Sequence, residues 1–220
     1  MKKNSFFIKN NLHLIPNILS IARIILTVII VILLSLKNNE SLYSFNVLSL
    51  QTKISPTFLA GGVIFIIASL TDFLDGFLAR KFNWISDFGK IWDAVSDKIL
   101  TTSVYVYFAV LTYVPVYFVL IMIFRDLVID GYRIQTNKYG LIIPANIFGK
   151  LKAVLQMISI ILIFFFFNSS SKEANNSKLE YYFIQNLFVI LATLASLISG
   201  VIYVINIEKK LKILKKEKIG

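Results

Sequence analysis

Four aspartates carry the densest chemistry in this chain. Asp72 and Asp75 stand three positions apart and Asp93 and Asp97 four apart, within the stretch TDFLDGFLARKFNWISDFGKIWDAVSD. On a helix those spacings put each pair on one face. Carboxylates inside apolar segments are costly and mark functional sites. Left alone at one depth, the four would repel one another and raise their own pKa values. Two divalent cations about 4 Å apart would instead turn them into an oxygen cage able to hold a phosphate or pyrophosphate. Gly76 leaves room beside Asp75 for a bulky ligand, Ala79 lies one turn further along the same face, and Gly89 stands one turn before Asp93. Arg80 adds a forked donor suited to phosphate oxygens. Ser86 and Asp87 stand where the following helix would be capped. The residues alone leave a second reading open, an acid-lined ion pathway or ion pairs with Arg80, Lys90 and Lys98.

The elements that must position these acids belong to a membrane. Of the 220 residues, 57% are hydrophobic and 16% charged, where a soluble domain carries about 25% charged residues. Apolar runs of about 18 residues or more recur, each able to cross the ~30 Å hydrocarbon core of a bilayer. The absence of cysteine and the single histidine, His13, exclude disulfides, thiolate sites and paired-histidine metal sites. Any metal is therefore held by oxygen, which points to Mg²⁺ or Mn²⁺. The net charge of +11 fits cytoplasmic basic loops and anionic lipid headgroups rather than nucleic acid.

The pattern predicts an all-α integral membrane protein with six transmembrane helices, at about 17–36, 57–78, 88–113, 116–132, 148–167 and 181–207. Together they form one catalytic membrane domain, 17–207. Residues 1–16 mix Lys2, Lys3 and Lys9 with Phe6, Phe7 and Ile8, as an amphipathic helix lying in the interface does. Residues 208–220 form a basic tail. Basic residues crowd the N-terminus, the second and fourth connections and the tail, whereas the other loops hold only Lys37, Lys53, Lys172 and Lys178. An even number of crossings puts every basic-rich segment on one side, so both termini and the acid cluster are expected at the cytoplasmic face of the cell membrane. The run Phe164–Phe167 goes around its helix and is expected to face lipid.

The string Asp72-x2-Asp75-Gly76-x2-Ala79-Arg80-x8-Gly89-x3-Asp93-x3-Asp97 resembles the full signature of the CDP-alcohol phosphotransferases. These membrane enzymes displace CMP from a CDP-linked donor with an alcohol. The resemblance implies that Asp72, Asp75 and Asp93 ligate two Mg²⁺ or Mn²⁺ ions, with Asp97 both a partial ligand and the general base. It implies a CDP-diacylglycerol pocket lined by Asp72, Gly76, Ala79, Arg80 and Ser86, and a homodimer. The opening IPNILSIARI is similar to the branch of the family that uses glycerol phosphate, which places Asn17, Ser20 and Arg23 near the donor phosphates. Arg125-Asp126, Tyr132-Arg133 and PANIFGKLKAVLQM (Pro144–Met157) resemble acceptor-side segments of that branch. Ser20 stands where threonine is usual, Ala94 and Ser96 replace proline and alanine, Asp126 replaces glutamate, and Ala153 replaces threonine.

The expected reaction joins sn-glycerol 3-phosphate to CDP-diacylglycerol and releases CMP, with Asp97 taking the proton of the attacking hydroxyl. The acceptor is a small dianion and needs fixed positive charge. Arg125, Arg133 and Lys150 are the candidates, Arg125 foremost because an arginine in an apolar helix needs a reason to be there. Asp126 and Asp130 offer it an alternative pairing. Competing readings are a sister enzyme whose acceptor is phosphatidylglycerol, inositol phosphate or serine, and an ion-conducting membrane protein.

Overall fold

The computed structural model of the chain describes residues 15–36, 43–47, 50–82, 87–138, 146–166 and 176–217. Over these residues there are six helices, α1 (Ile15–Ser35), α2 (Pro56–Phe82), α3 (Asp87–Val110), α4 (Val116–Lys138), α5 (Ile147–Phe165) and α6 (Asn176–Glu217). Two strands, β1 (Tyr43–Val47) and β2 (Leu50–Ile54), stand between α1 and α2. They add a short hairpin, which the sequence pattern does not predict, to the helical architecture. The strands pair antiparallel, with Tyr43 opposite Ile54 and Val47 opposite Leu50. Five-residue strands joined by a two-residue connection satisfy their backbone groups on each other, yet are too short to print a clear period on the sequence. Residues 1–14, which include most of the expected interfacial segment and His13, lie outside the described residues.

Local chemistry sets the helix ends. Ser55 caps α2, accepting the Phe58 N–H on its hydroxyl at 3.3 Å and the Leu59 N–H on its carbonyl at 3.1 Å, and Pro56 occupies the first turn, where a missing N–H costs nothing. The end of α3 is a Schellman motif: Thr112 donates to the Ala109 carbonyl at 3.0 Å and Tyr113 to the Phe108 carbonyl at 2.9 Å. Thr112 adopts φ 64° there, which ends the helix three residues short of the expected 113. Asn146 caps α5, its Oδ1 accepting the Gly149 N–H at 2.7 Å. The last helix is longer than expected at both ends, reaching back into the polar linker and on to Glu217 in the basic tail.

Ile18–Ser35, Ile147–Phe165 and Tyr182–Lys212 are long and apolar enough to cross a membrane, and Pro56–Thr71 is a shorter apolar stretch. The faces of these helices are inverted relative to a soluble protein. α1 buries Ser20, Arg23, Thr27, Ile30 and Leu34, a stripe every three to four residues, and exposes Ile18, Ile21, Ile25, Val28 and Ile32. A helix that hides its polar residues and shows its aliphatic ones suits lipid outside and a polar interior.

The chain divides into two compact units, one of residues 1–113 and 160–170, the other of residues 114–159 and 171–220. In the first, α1 lies against both α2 and α3, which meet each other more sparingly. One end of this unit is closed by aromatic rings. Phe164, at the end of α5, meets Phe108 edge-on at 5.0 Å between centroids, Phe58 at 5.7 Å and Phe65 at 6.2 Å. Tyr113 packs on Phe58 at 5.6 Å. Phe164 is fully buried while Phe166 is exposed, so the expectation that Phe164–Phe167 face lipid is corrected for Phe164. Its seat is a notch at Gly61 and Gly62, where a Cβ on Gly62 would come within 2.8 Å of the Phe165 ring and one on Gly61 within 3.2 Å of the Phe164 ring. In the second unit, Ile129 of α4 and Tyr203 and Ile207 of α6 form an apolar cluster with Tyr132, Val204 and Leu211. α6 buries Ala192, Ala195, Ser196 and Ser199 and leaves Leu191, Leu194 and Leu197 exposed; small residues let helices approach closely where lipid supplies no hydrophobic drive.

Candidate functional site

The acidic signature falls on unbroken helix. Positions 72, 75, 76 and 79 share one stripe of α2, and positions 89, 93 and 97 share one stripe of α3. The polarity of the first unit puts these stretches at one end. Leu34 of α1 lies beside the notch at Gly61, whereas Arg23 lies beside Ser96, so the aromatic rings and the aspartates occupy opposite ends. Eleven residues separate Arg23 from Leu34 and Asp97 from Phe108, about 16 Å of rise in each helix. Asp97 is half-buried. The side chains of Asn17, Asp72, Asp75, Ala79, Arg80 and Asp93, with Gly76 and all of Ser86, lie outside the described ones. The donor set written by this register is oxygen only, which fits a hard divalent cation such as Mg²⁺ or Mn²⁺.

Among the described residues, Arg23 is the largest fully buried side chain. Its Nη1 donates to Ser96 Oγ at 2.9 Å, and Ser96 is itself fully buried directly before Asp97. Ser20, one turn earlier on α1, is buried on the same stripe. Burying a guanidinium is expensive unless acceptors surround it. The sequence therefore keeps a permanent positive charge among the polar residues that neighbour the Asp97 stripe.

The second unit holds another charged cluster. Arg125 of α4 spends three of its five N–H groups on protein acceptors: Nε on the Ser196 carbonyl at 3.1 Å, Nη1 on Asp126 Oδ1 at 2.9 Å and Nη2 on Ser199 Oγ at 2.5 Å. Asp126 also receives Lys152 of α5, whose Nζ lies 2.6 Å from both carboxylate oxygens. Ser199 in turn donates to Asn146 Oδ1 at 2.8 Å, and Asn146 Nδ2 donates to the Ser199 carbonyl at 3.1 Å. The pairing of Arg125 with Asp126 is thus realised, and it leaves one N–H on each terminal nitrogen without a partner among the described residues. The other two acceptor candidates stand apart from this cluster: Arg133 is exposed, its guanidinium 5.7 Å from the centre of the Tyr203 ring, and Lys150 is exposed on α5.

Beside Arg125, a groove of about 320 Å³ runs between α4 and α6, lined by Val128, Ile129, Leu197, Gly200, Val201 and Val204. Its aliphatic walls suit hydrocarbon and not a dianion.

Lys152, Asn146, Ser196 and Ser199 were not singled out by sequence reasoning. Lys152 and Asn146 both fall inside the acceptor-side stretch Pro144–Met157, but the sequence does not distinguish either within it. The signal for the others is the placement of Ser196, Ser199 and Gly200 on one face of a helix otherwise rich in Leu, Ile and Val.

The CDP-alcohol phosphatidyltransferase family model matches residues 13–199. A protein of Mycoplasma pneumoniae named CDP-diacylglycerol–glycerol-3-phosphate 3-phosphatidyltransferase is 40% identical over 203 residues, which cover 90% of this chain and 89% of that protein. A protein of the same name from Mycoplasma genitalium is 34% identical over 201 residues, covering 90% and 85%. Another so named, from Bacillus subtilis, is 36% identical over 102 residues, covering 46% and 53%.

Proposed function

The chain belongs to the CDP-alcohol phosphatidyltransferase family, and on that premise we propose that it transfers the phosphatidyl group of CDP-diacylglycerol to sn-glycerol 3-phosphate, giving phosphatidylglycerol phosphate and CMP. The observation that carries this reading is the shared name of relatives aligned with nine-tenths of the chain, joined to an intact aspartate signature on α2 and α3.

In this reading Asp72, Asp75, Asp93 and Asp97 hold two Mg²⁺ or Mn²⁺ ions. When bound, the ions neutralise the pyrophosphate and the charge that grows on departing CMP. Asp97 accepts the proton of the glycerol hydroxyl as that oxygen attacks the lipid-side phosphorus. Asn17, Ser20 and Arg23 on α1 serve the donor phosphates; the place of Arg23 beside Ser96, directly before Asp97, supports this. Gly76, Ala79, Arg80 and Ser86 line the nucleotide. Arg125 takes the acceptor phosphate on its two remaining N–H groups, with Lys152 beside it through Asp126 and with Arg133 and Lys150 further out.

The arrangement calls for six crossings of the cell membrane, an N-terminal interfacial segment, a basic tail after residue 207, both termini and the aspartates at the cytoplasmic face, and a homodimer. The inversion of α1, polar inside and aliphatic outside, supports the membrane setting.

The test is CMP release by the purified protein in detergent, with CDP-diacylglycerol, Mg²⁺ and one alcohol at a time. Glycerol 3-phosphate should be consumed, a chelator should abolish turnover, and Asp97→Asn should lower kcat by about 10²–10⁴-fold while CDP-lipid binding persists. Indifference to glycerol 3-phosphate, with phosphatidylglycerol, inositol phosphate or serine consumed instead, would overturn the acceptor assignment.

A further inference from the structure

Asn146 does two jobs at once in the second unit. As the cap of α5 its Oδ1 accepts the Gly149 N–H at 2.7 Å, and the same oxygen accepts the Ser199 hydroxyl at 2.8 Å. Its Nδ2 donates to the Ser199 carbonyl at 3.1 Å. With two donors on one side and an acceptor on the other, the amide has a single satisfied orientation. A serine hydroxyl has one proton, and here Asn146 takes it. The lone pairs of Ser199 Oγ are left for Arg125 Nη2, which lies 2.5 Å away. Without Asn146 the hydroxyl is free to turn back onto a carbonyl of its own helix.

The cradle is closed on both sides by glycine. A Cβ on Gly149 would lie 3.1 Å from Asn146 Oδ1 and 3.2 Å from Ser199 Oγ, and one on Gly200 would lie 3.1 Å from Arg125 Cγ. Neither helix can carry a larger residue there without moving the relay. The hydroxyl that receives Arg125 Nη2 is therefore oriented by the cap of α5, through a side chain that makes no hydrogen bond to the guanidinium itself.

We infer that Asn146 is a positioning residue for acceptor binding, acting through the Ser199 hydroxyl to aim the two remaining N–H groups of Arg125 at the anionic group of the alcohol substrate. This rests on the reading of Arg125 as the acceptor's phosphate ligand. The reading of Arg125 can stand without the positioning role, and the experiment separates the two failures.

The experiment is steady-state kinetics of the full chain in detergent, varying glycerol 3-phosphate and CDP-diacylglycerol in turn. Asn146→Ala and Ser199→Ala should each raise KM for glycerol 3-phosphate about ten-fold, as expected when a hydrogen bond to a charged group is lost, with KM for CDP-diacylglycerol and kcat changed less than two-fold. The double variant should be no worse than either single one, because both break the same relay. Ser199→Thr, which keeps the hydroxyl, should restore KM. Asn146→Ser retains a capping oxygen for α5 but not the amide, so it should reproduce the KM rise even if Asn146→Ala fails to fold. Arg125→Gln tests the underlying reading: an unchanged KM for glycerol 3-phosphate removes Arg125 from the acceptor site. A raised KM in Arg125→Gln with unaltered kinetics in the Asn146 and Ser199 variants, or an equal rise for both substrates, would overturn the positioning role alone.

Discussion

The two compact units handle buried charge in opposite ways. The first encloses Arg23 completely and keeps its mechanical closure elsewhere, in a plug of Phe58, Phe65, Phe108, Tyr113 and Phe164 about 16 Å of helix away. Carbon packing holds that unit, and the polar end is relieved of the task. The second has no such separation. Arg125, Lys152 and Asp126 both join α4 to α5 and α6 and supply the charge proposed for the acceptor. Stability and binding are separable in the first unit and share the same atoms in the second.

The largest effect should come from breaking the shared carboxylate. Asp126→Ala strips Lys152 and Arg125 of their common acceptor while leaving both cations largely buried, a loss of about 3–5 kcal/mol. Thermal melting in detergent reads it, and the variant should also lose affinity for glycerol 3-phosphate. A variant that melts like the parent would mean that Asp126 does not hold the second unit together.

The same contrast predicts the reverse in the first unit. Gly62→Val drives a branched side chain into the Phe165 ring and should cost about 1–3 kcal/mol, yet leave KM for CDP-diacylglycerol within two-fold in the folded fraction. A large change in donor KM would show that the plug and the aspartate end are coupled after all.

The smallest effect sharpens the account of the α3 terminus. Thr112 is a β-branched residue held at φ 64°, where an L side chain costs about 1–2 kcal/mol. Thr112→Gly relieves that strain and gives back part of it as unfolded-state entropy, so stability should rise by up to about 1 kcal/mol, read as a higher melting temperature. A fall would mean that the threonine side chain makes a contact worth more than its backbone strain.

Much of this was legible without coordinates. Asp72, Asp75, Asp93 and Asp97 are read from spacing because a helix repeats every 3.6 residues and the apolar neighbours make helix the only economical conformation in lipid. The same logic located all six helices within a few residues on most boundaries. The hairpin at 43–54 was not legible, because its hydrogen bonds are made between strands rather than within a periodic run. Phe164 was misjudged for a related reason. Its burial depends on the glycine notch 102 residues earlier at Gly62, and nothing local to the phenylalanine run reports it.

Sequence alone settled which groups are present and how they repeat along each helix: an oxygen-only acid set, an arginine within the apolar part of each of two helices, and the family to which the pattern belongs. Only the tertiary structure decided what each charge meets. Ser96 receives Arg23 across 73 positions and Ser199 receives Arg125 across 74, and helix periodicity carries no information over such distances. Register within a helix is fixed by its own backbone hydrogen bonds, whereas register between helices is fixed by side-chain shape, and that is known only once the helices have packed.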